Sequence, residues 1–357
     1  MIKKECFTAE WIEQVSSELH YNDKNLIEKV IRALSLLEML VKAGCPLVFK
    51  GGTALMLILG KSAHRLSIDI DLICPPGTNI EDYLKSFADF GFINLELVER
   101  KQRDDADIPK SHSKFFYQIA YRNDTDAQSY ILLDVLYEDI HYFRTQQIAI
   151  NCPFIRLEGK PLMVTVPSAE DILGDKLTAF APNTTGIPYY KNGRSCSMEI
   201  AKQLYDVGRL FENVSDVQIT KEAFRKIAVV ELSYRSFGTD IGQVFNDIRQ
   251  TALCISTRGK AGEGDFDLIQ DGIIRVKSFM YKQRYLIDHA IIDAARAAYL
   301  ATLIEKGINE IESYSNTPAD IKDMVIRPSL PNKLNKLRSN LPEAYYYWAK
   351  TSELLEA

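Results

Sequence analysis

Phe49-Lys50-Gly51-Gly52-Thr53 and Asp69-Ile70-Asp71 are the two stretches that decide the fold. The first follows the apolar run Leu47-Val48-Phe49, so it predicts a short strand, a glycine turn and the start of a helix. Backbone N–H groups at such a turn bind phosphate, and glycine permits close approach. The Thr53 hydroxyl would add one hydrogen bond. We therefore predict that Gly51, Gly52 and Thr53 bind a nucleotide.

The second stretch supplies two carboxylates, Asp69 and Asp71, with 16 residues between Gly52 and Asp69. We expect a strand over residues 66–73, in which side chains two positions apart share a face, so the two acids would project together. Adjacent carboxylates repel unless a cation lies between them, and hard oxygen ligands suit Mg²⁺ or Mn²⁺. The alternative is an edge strand with two solvated acids. The glycine turn upstream favours the metal site.

Asp134 is the candidate third carboxylate of a two-metal site. It lies within Ile131-Leu132-Leu133-Asp134-Val135-Leu136, an otherwise apolar strand where a charge is costly without a partner. A satisfied core or edge aspartate is the alternative reading. Glu138 and Asp139, just beyond the apolar run, are weaker candidates for the same role.

Outward from these motifs, the pattern predicts an α+β protein with a mixed sheet. Two boundaries organise the prediction: residues 1–167 form an α/β domain that begins with helices, and residues 168–357 form a mostly helical domain. The change comes at Ser168-Ala169-Glu170-Asp171, a capping box that opens a helix. Other local predictions are a helix over 79–90, a hairpin loop over 100–113, a turn over 123–126, and a hairpin that joins 148–157 to 161–166 around 158–160.

Composition excludes several classes of protein. The chain has 357 residues, of which 46% are hydrophobic and 25% charged, so it is globular and not disordered. We expect no membrane span and a cytoplasmic location, since no apolar run approaches the roughly 20 residues needed and no signal core follows the N-terminus. The six cysteines include no C-x-x-C pair. The net charge of −5 argues against a nucleic-acid coat but permits a local basic patch.

These motifs resemble the nucleotidyltransferase superfamily with a DNA-polymerase-β-like fold, and within it the AbiEii/AbiGii toxin family. That resemblance covers residues 47–210 and implies a catalytic and metal-binding set of Asp69, Asp71 and Asp134. It also implies a Lys-bearing helix with Lys176, preceded by Asp171 or Glu170, and a later motif with Lys202 and Asp206. The further nucleotide-binding candidates are Gly51, Gly52, Thr53, Arg65, Ser67, Lys176, Lys202 and Asp206.

The resemblance also implies a function. We expect an NTP substrate, Mg²⁺ or Mn²⁺, transfer of a nucleotide to an acceptor that is RNA, with the tRNA 3′ end as first choice, and a cognate antitoxin. A small-molecule or protein acceptor, or a catalytically silent nucleotide-binding module, remains an alternative. Lys202 and Asp206 share a helix face and form either a structural pair or a base and a triphosphate contact. The basic and aromatic stretch 275–285 is either an RNA contact or a solvated helix face.

Overall fold

The computed structural model describes residues 1–98, 110–122, 127–214, 216–235, 238 and 240–357. The described chain divides into two units. The first contains Met1–Ser168 and Ser278–Arg284, and the second contains Ala169–Lys277 and Tyr285–Ala357. Within these described ranges, no helix combines the length and the apolar character that crossing a bilayer requires. The predicted turn over 123–126 and most of the predicted loop over 100–113 fall outside the described residues.

The first unit begins with two helices and continues with strands. Its helices and strands are α1 (Ala9–Glu18), α2 (Lys24–Lys42), β1 (Val48–Lys50), α3 (Gly51–Leu59), β2 (Ile70–Cys74), β3 (Asn94–Val98), β4 (Lys110–Gln118), β5 (Gln128–Tyr137), β6 (Thr145–Ala149) and β7 (Met163–Pro167). Lys110–Ser113, assigned to a loop from the sequence, therefore opens β4.

Five strands form one mixed sheet in the order β1-β2-β5-β4-β3. The β2–β5 pair is parallel, and the other three pairs are antiparallel. One face of this sheet belongs to the hydrophobic core: Ile70 and Leu72 of β2 and Leu133 and Val135 of β5 are all buried there with the apolar residues of α2. Because side chains alternate along a strand, Asp71 and Asp134 lie on the opposite face.

Strand β2 is shorter than the sequence pattern predicts, because it begins at Ile70 and not at residue 66. The preceding residues pair elsewhere in the unit. Arg65 forms an isolated bridge with Met280, and the Leu66 N–H donates to the Phe279 carbonyl over 2.8 Å. The segment 278–284 thus takes the backbone hydrogen bonds that a longer β2 would have given to the sheet. Asp69 consequently stands just before the strand.

One other local prediction is wrong, and one is wrong only in its bounds. Residues 79–90 form two short 3₁₀ turns, Ile80–Tyr83 and Phe87–Phe90, in place of one α-helix. The later hairpin is confirmed where β6 pairs with β7 at Ile148–Val164 and Ala149–Met163, but its predicted bounds are wrong, because β6 runs from Thr145 to Ala149 and β7 from Met163 to Pro167. Residues 156–158 instead pair with the N-terminus, where Ile2 bridges Leu157. Local periodicity does not reveal such a distant partner.

The second unit is almost entirely helical. Its elements are α4 (Ala169–Ala179), the two-residue strands β8 (Tyr190–Lys191) and β9 (Arg194–Ser195), α5 (Ser197–Phe211), α6 (Val217–Tyr234), α7 (Ile241–Ser256), α8 (Phe266–Val276), α9 (Ile287–Lys306), α10 (Leu337–Asn340) and α11 (Pro342–Glu356). A mixed sheet followed by a helical region confirms the predicted α+β fold class.

Close helix packing in the second unit depends on glycine. A Cβ on Gly174 of α4 would lie 2.8 Å from the backbone N of Phe224 on α6, and a Cβ on Gly208 of α5 would lie 2.0 Å from a carboxylate oxygen of Asp293 on α9. Asp293 is fully buried and accepts hydrogen bonds from Arg209 and Arg296. Burial nevertheless raises the pKa of the Asp293 carboxyl above its usual value.

Candidate functional site

The glycine turn between β1 and α3 is built against an acid. Gly51 adopts φ +77°, a left-handed conformation that favours glycine, and a Cβ there would lie 2.0 Å from Oδ2 of Asp71. Gly51 is also the first residue of α3, and the side chain of the N-cap residue, Lys50, does not cap this helix. The first N–H groups of a helix lack intrahelical partners and carry partial positive charge. This turn can therefore accept a phosphate directly beside the Asp71 carboxylate.

The next glycine is enclosed by two of the predicted nucleotide-binding residues. A Cβ on Gly52 would lie 2.6 Å from Oγ of Ser67 and 2.9 Å from Nη2 of Arg65. Arg65 is buried, and its Nη1 donates to the Leu66 carbonyl over 3.0 Å. The residues just before β2 thus bring a hydroxyl and a guanidinium to the glycine turn. Both groups are hydrogen-bond donors of the kind that bind phosphate oxygens.

Thr53 holds the backbone of Asp69. Thr53 is fully buried, and its hydroxyl donates to the Asp69 carbonyl over 2.7 Å. This hydrogen bond corrects the expectation that the hydroxyl itself binds phosphate, since the side chain points into the core. The strand argument that aligned Asp69 with Asp71 does not apply either, because Asp69 precedes β2 and is exposed. The hydrogen bond from Thr53 instead connects the start of α3 to Asp69.

Asp71 and Asp134 face each other across the parallel β2–β5 pair. They are direct register partners, so their side chains emerge on the same face of the sheet. The register extends sideways, because Lys50 on β1 opposes Asp71 and His112 on β4 opposes Asp134. We call Lys50, Asp71, Asp134 and His112 the cross-sheet row. The predicted Asp134 thus joins the predicted Asp71 through long-range pairing, whereas Glu138 and Asp139 lie beyond the end of β5.

Sequence reasoning missed Lys50 in this row, and it also missed His112. Its Nδ1 forms a short hydrogen bond with Oδ1 of Asp134. An ionised carboxylate only accepts, so Nδ1 carries the proton and donates it. The His112 side chain is 10% exposed and that of Asp134 is 33% exposed, which leaves the acid accessible while the imidazole fixes it from behind. Only the β4–β5 register identifies His112, and the chain gives no metal-ligand spacing that would reveal it.

The carboxylates of the cross-sheet row are oxygen ligands of the kind that hard divalent cations prefer. Among the described residues, no three His, Cys, Asp or Glu side chains form a metal-binding group by themselves. Mg²⁺ sites that act on nucleotides commonly use one or two carboxylates, with phosphate oxygens and water as the remaining ligands. Asp71 and Asp134 would supply such a pair next to the glycine turn. Asp69 is the adjoining carboxylate, held through its backbone by Thr53.

In the second unit, Lys176 and Asp206 form a buried ion pair. Lys176 Nζ on α4 lies 3.0 Å from Asp206 Oδ2 on α5, and the two residues are 7% and 1% exposed. Lys202 and Asp206 lie four residues apart on α5, as the sequence predicts, and the structure also brings Lys176 to Asp206. Lys202 is half-buried. A buried pair that has lost water interacts strongly, and removing one member leaves an uncompensated charge.

The remaining candidates have structural settings of their own. Asp171 on α4 is fully buried, whereas Glu170 is half-buried. In the basic and aromatic stretch, Tyr281 and Tyr285 are buried, and Lys282 and Arg284 are exposed. Tyr281 donates to the Ala63 carbonyl and therefore packs within its unit. These two rings are not open to stack on a base, whereas Phe279 of the same stretch is half-buried.

A mixed sheet thus brings paired carboxylates beside a glycine turn and a helix start without a side-chain cap. The family model described as "Nucleotidyl transferase AbiEii toxin, Type IV TA system" matches residues 34–315, which is most of the chain. The chain therefore belongs to the AbiEii nucleotidyltransferase toxin family, and it is a nucleotidyltransferase. This family match confirms the resemblance that the motifs indicated.

Two solved structures are similar to the chain. The crystal structure of JHP933 from Helicobacter pylori is 17% identical, with 79% of this chain and 94% of that chain covered and a TM-score of 0.40. The nucleotidyltransferase toxin MenT4 from Mycobacterium tuberculosis H37Rv is 13% identical, with 82% and 89% covered and a TM-score of 0.44. No curated protein matches the chain.

Proposed function

We propose that this chain transfers a nucleoside monophosphate from an NTP to a hydroxyl of RNA, with the tRNA 3′ end as the first candidate, and that it requires Mg²⁺ or Mn²⁺. The observation that carries this proposal is the contact between Gly51 and the Asp71 carboxylate. It joins a phosphate-binding turn to an acid whose register partner is a second acid, Asp134. Few functions other than phosphoryl transfer need a phosphate cradle and paired carboxylates in contact.

In the proposed reaction, the acceptor oxygen attacks the α-phosphorus of the NTP. A bond forms between that oxygen and phosphorus, the bond from the α-phosphorus to the bridging oxygen breaks, and pyrophosphate leaves. A bound divalent cation would neutralise the carboxylates and the triphosphate and polarise the reacting oxygens. Asp69, Asp71 and Asp134 are the residues that would hold it.

The protein groups have separate tasks in this proposal. The N–H groups of Gly51, Gly52 and Thr53 would bind phosphate oxygens, with the side chains of Arg65 and Ser67 beside Gly52. Asp134 would accept the proton of the acceptor hydroxyl at Oδ2, since His112 occupies Oδ1.

The helical unit contributes cations to the same proposal. Lys176 and Lys202 would neutralise triphosphate charge. Asp206 would then hold the Lys176 ammonium in place, because the two groups are 3.0 Å apart in a buried setting.

The test is label transfer. The protein is incubated with each α-³²P-labelled NTP, Mg²⁺ and total tRNA, and we compare wild type with Asp69→Asn, Asp71→Asn and Asp134→Asn. The matched control is Asp89→Asn, which removes an exposed acid of the same unit. We expect each site variant to lose at least about a hundredfold in rate, because each removes charge at the reacting centre. The control should match wild type.

Other outcomes decide against parts of the proposal. Transfer that is unchanged in the Asp71 and Asp134 variants would reject the site. Label that migrates with a small molecule or with the protein, and not with RNA, would reject the acceptor. Transfer that survives complete chelation would reject the divalent cation, since added Mg²⁺ or Mn²⁺ should restore the rate.

We also propose a cognate antitoxin, on the basis of the family to which the chain belongs. Induced expression of the wild-type chain should arrest growth of a host, whereas Asp71→Asn should not. Coexpression of the gene immediately upstream should restore growth. If Asp71→Asn is as harmful as wild type, the toxicity does not come from nucleotidyl transfer.

A further inference from the structure

The second unit carries a basic pocket that the proposed chemistry does not use. It has a volume of about 460 Å³ and is lined by the ends of α7 and α10 and by residues near the starts of α9 and α11. Four exposed cationic side chains surround it, and one carboxylate opposes them: Arg258, Lys260, Lys333, Lys336 and Asp288. We call this the α7–α10 pocket. Such a concentration of positive charge is notable in a chain whose net charge is −5.

Part of this charge is uncompensated. Arg258 Nη2 pairs with Asp288 at 2.9 Å, and Lys333 Nζ donates to the Lys260 carbonyl over 2.5 Å. These contacts fix two of the cations at the rim. Among the described residues, no carboxylate pairs with the ammonium groups of Lys260 and Lys336. Like charges gathered in this way repel each other, and an anion that enters the pocket would relieve the repulsion.

Two further features support an anion here. Leu341, which lines the pocket, precedes the first residue of α11, and no side chain caps that helix start. Pro342 has no N–H, but the next N–H groups of this 15-residue helix lack intrahelical partners and place partial positive charge near Leu341. Ser256, which lines the pocket, is held in place because the indole N–H of Trp348 donates to its hydroxyl over 3.0 Å. A preformed basic pocket with a rigid floor suits a phosphate group.

The lining also indicates which kind of phosphate it takes. It contains no aromatic side chain on which a base would stack, and its apolar members, Ile291, Leu337 and Leu341, are aliphatic. Contacts of this kind grip the sugar–phosphate backbone and carry no sequence information. A nucleotide substrate already has a separate phosphate turn at Gly51 in the first unit.

From these observations we propose that the α7–α10 pocket binds backbone phosphates of the RNA acceptor. This inference rests on the proposed function, which names RNA as the acceptor. It makes the helical unit the part of the protein that holds the body of the RNA, independent of base sequence. Binding would then depend strongly on salt, because each lysine that neutralises a phosphate releases condensed counterions.

The experiment measures RNA binding without chemistry. Fluorescein-labelled tRNA is titrated with wild type and with the double variant Lys260→Gln/Lys336→Gln, and anisotropy gives the affinity between about 50 and 200 mM salt. The matched control, Lys191→Gln/Lys306→Gln, removes two exposed lysines of the same unit that do not line the pocket. All four substitutions are at exposed positions, so folding should persist, and circular dichroism checks it.

We expect the pocket variant to lose about tenfold in affinity at low salt and to lower the slope of log affinity against log salt by about two. The control should keep the wild-type slope. Affinity for a fluorescent ATP analogue should be unchanged in both. If RNA binding of the pocket variant equals that of the control, the inference is wrong while the proposed transfer reaction stands. If the ATP affinity falls and RNA binding does not, the pocket holds nucleotide and the inference is also wrong.

Failure of the proposed function gives a different result. Wild type that binds no tRNA, yet transfers label to another acceptor, would reject RNA as the acceptor and the pocket as an RNA site together. The double variant Lys260→Arg/Lys336→Arg should bind RNA, in contrast to the glutamine double variant. Rescue would show that positive charge, and not the shape of lysine, is what the pocket supplies.

Discussion

Replacing Gly51 by alanine tests whether the glycine turn and Asp71 act as one unit. The added Cβ would lie 2.0 Å from Oδ2 of Asp71, whereas ordinary contacts begin near 3.4 Å. Either the carboxylate or the turn must therefore move by about 1.4 Å. A displacement of about 1 Å at a reacting centre can cost on the order of a hundredfold in rate. The left-handed conformation adds a strain of about 1–2 kcal/mol for a residue with a Cβ.

Gly44→Ala separates the strain from the contact. Gly44 has φ +76°, nearly the same as Gly51, but a Cβ there would meet nothing within 4 Å. Both variants should lose comparable stability in urea unfolding. Only Gly51→Ala should lose about a hundredfold in label transfer, and the loss should appear in kcat because we propose that Asp71 acts at the reacting phosphate.

A double variant sharpens the same prediction. If Gly51→Ala acts by displacing the Asp71 carboxylate, then adding it to Asp71→Asn should cost little more than Asp71→Asn alone, since coupled sites are not additive. Transfer by Gly51→Ala within twofold of Gly44→Ala would refute the reasoning. So would full additivity of the Gly51 and Asp71 substitutions.

The other predictions concern groups that position the site. His112→Ala should lower kcat about tenfold with little change in the KM for NTP. His112→Asn, which keeps an N–H near the Nδ1 position, should recover most of the lost kcat. If both variants lose kcat equally, the hydrogen bond to Asp134 has no role in the reaction. Thr53→Val should cost about 0.5–1.5 kcal/mol of stability by removing the hydrogen bond to the Asp69 carbonyl, and it should reduce transfer. Thr53→Ser keeps the hydroxyl and should retain transfer, although the loss of a buried methyl group lowers its stability by about 1 kcal/mol. Lys176→Met should destabilise by about 3–5 kcal/mol, and Lys176→Met with Asp206→Leu should regain stability in urea unfolding without regaining transfer. A double variant that also regains transfer would make the pair purely structural.

Much of the candidate site could be predicted because its signals are local. The 23 residues between Lys50 and Cys74 contain the glycine turn, the helix that follows it and the two acids of the D-x-D stretch. The conformation of each is determined by residues nearby in the sequence. Asp134 was detectable for a different reason, since a charge inside an apolar strand is costly without a purpose. The change to a helical region after Ser168 was marked by a shift in periodicity.

The parts that sequence could not predict depend on distant pairing. His112 lies 22 residues before Asp134 and reaches it only through the register of β4 and β5. Lys176 reaches Asp206 across two helices, although Lys202 is the neighbour that helical spacing favours. The early end of β2 has the same origin, because residues 65 and 66 are claimed by the segment 278–284, more than 200 residues later in the chain. No local pattern records these partners.

The cross-sheet row explains why these acids can be grouped at all. Two carboxylates opposed across a parallel strand pair would repel each other, and the repulsion grows as the local dielectric falls. In this sheet the flanking strands place Lys50 beside Asp71 and His112 beside Asp134, so each acid has a donor on its outer side. The outer donors lower the cost of holding the acids together, and the side of the row nearest Gly51 is where a phosphate and its cation would complete the balance. The strand order β1-β2-β5-β4 is therefore what turns two unremarkable acids into a candidate catalytic pair.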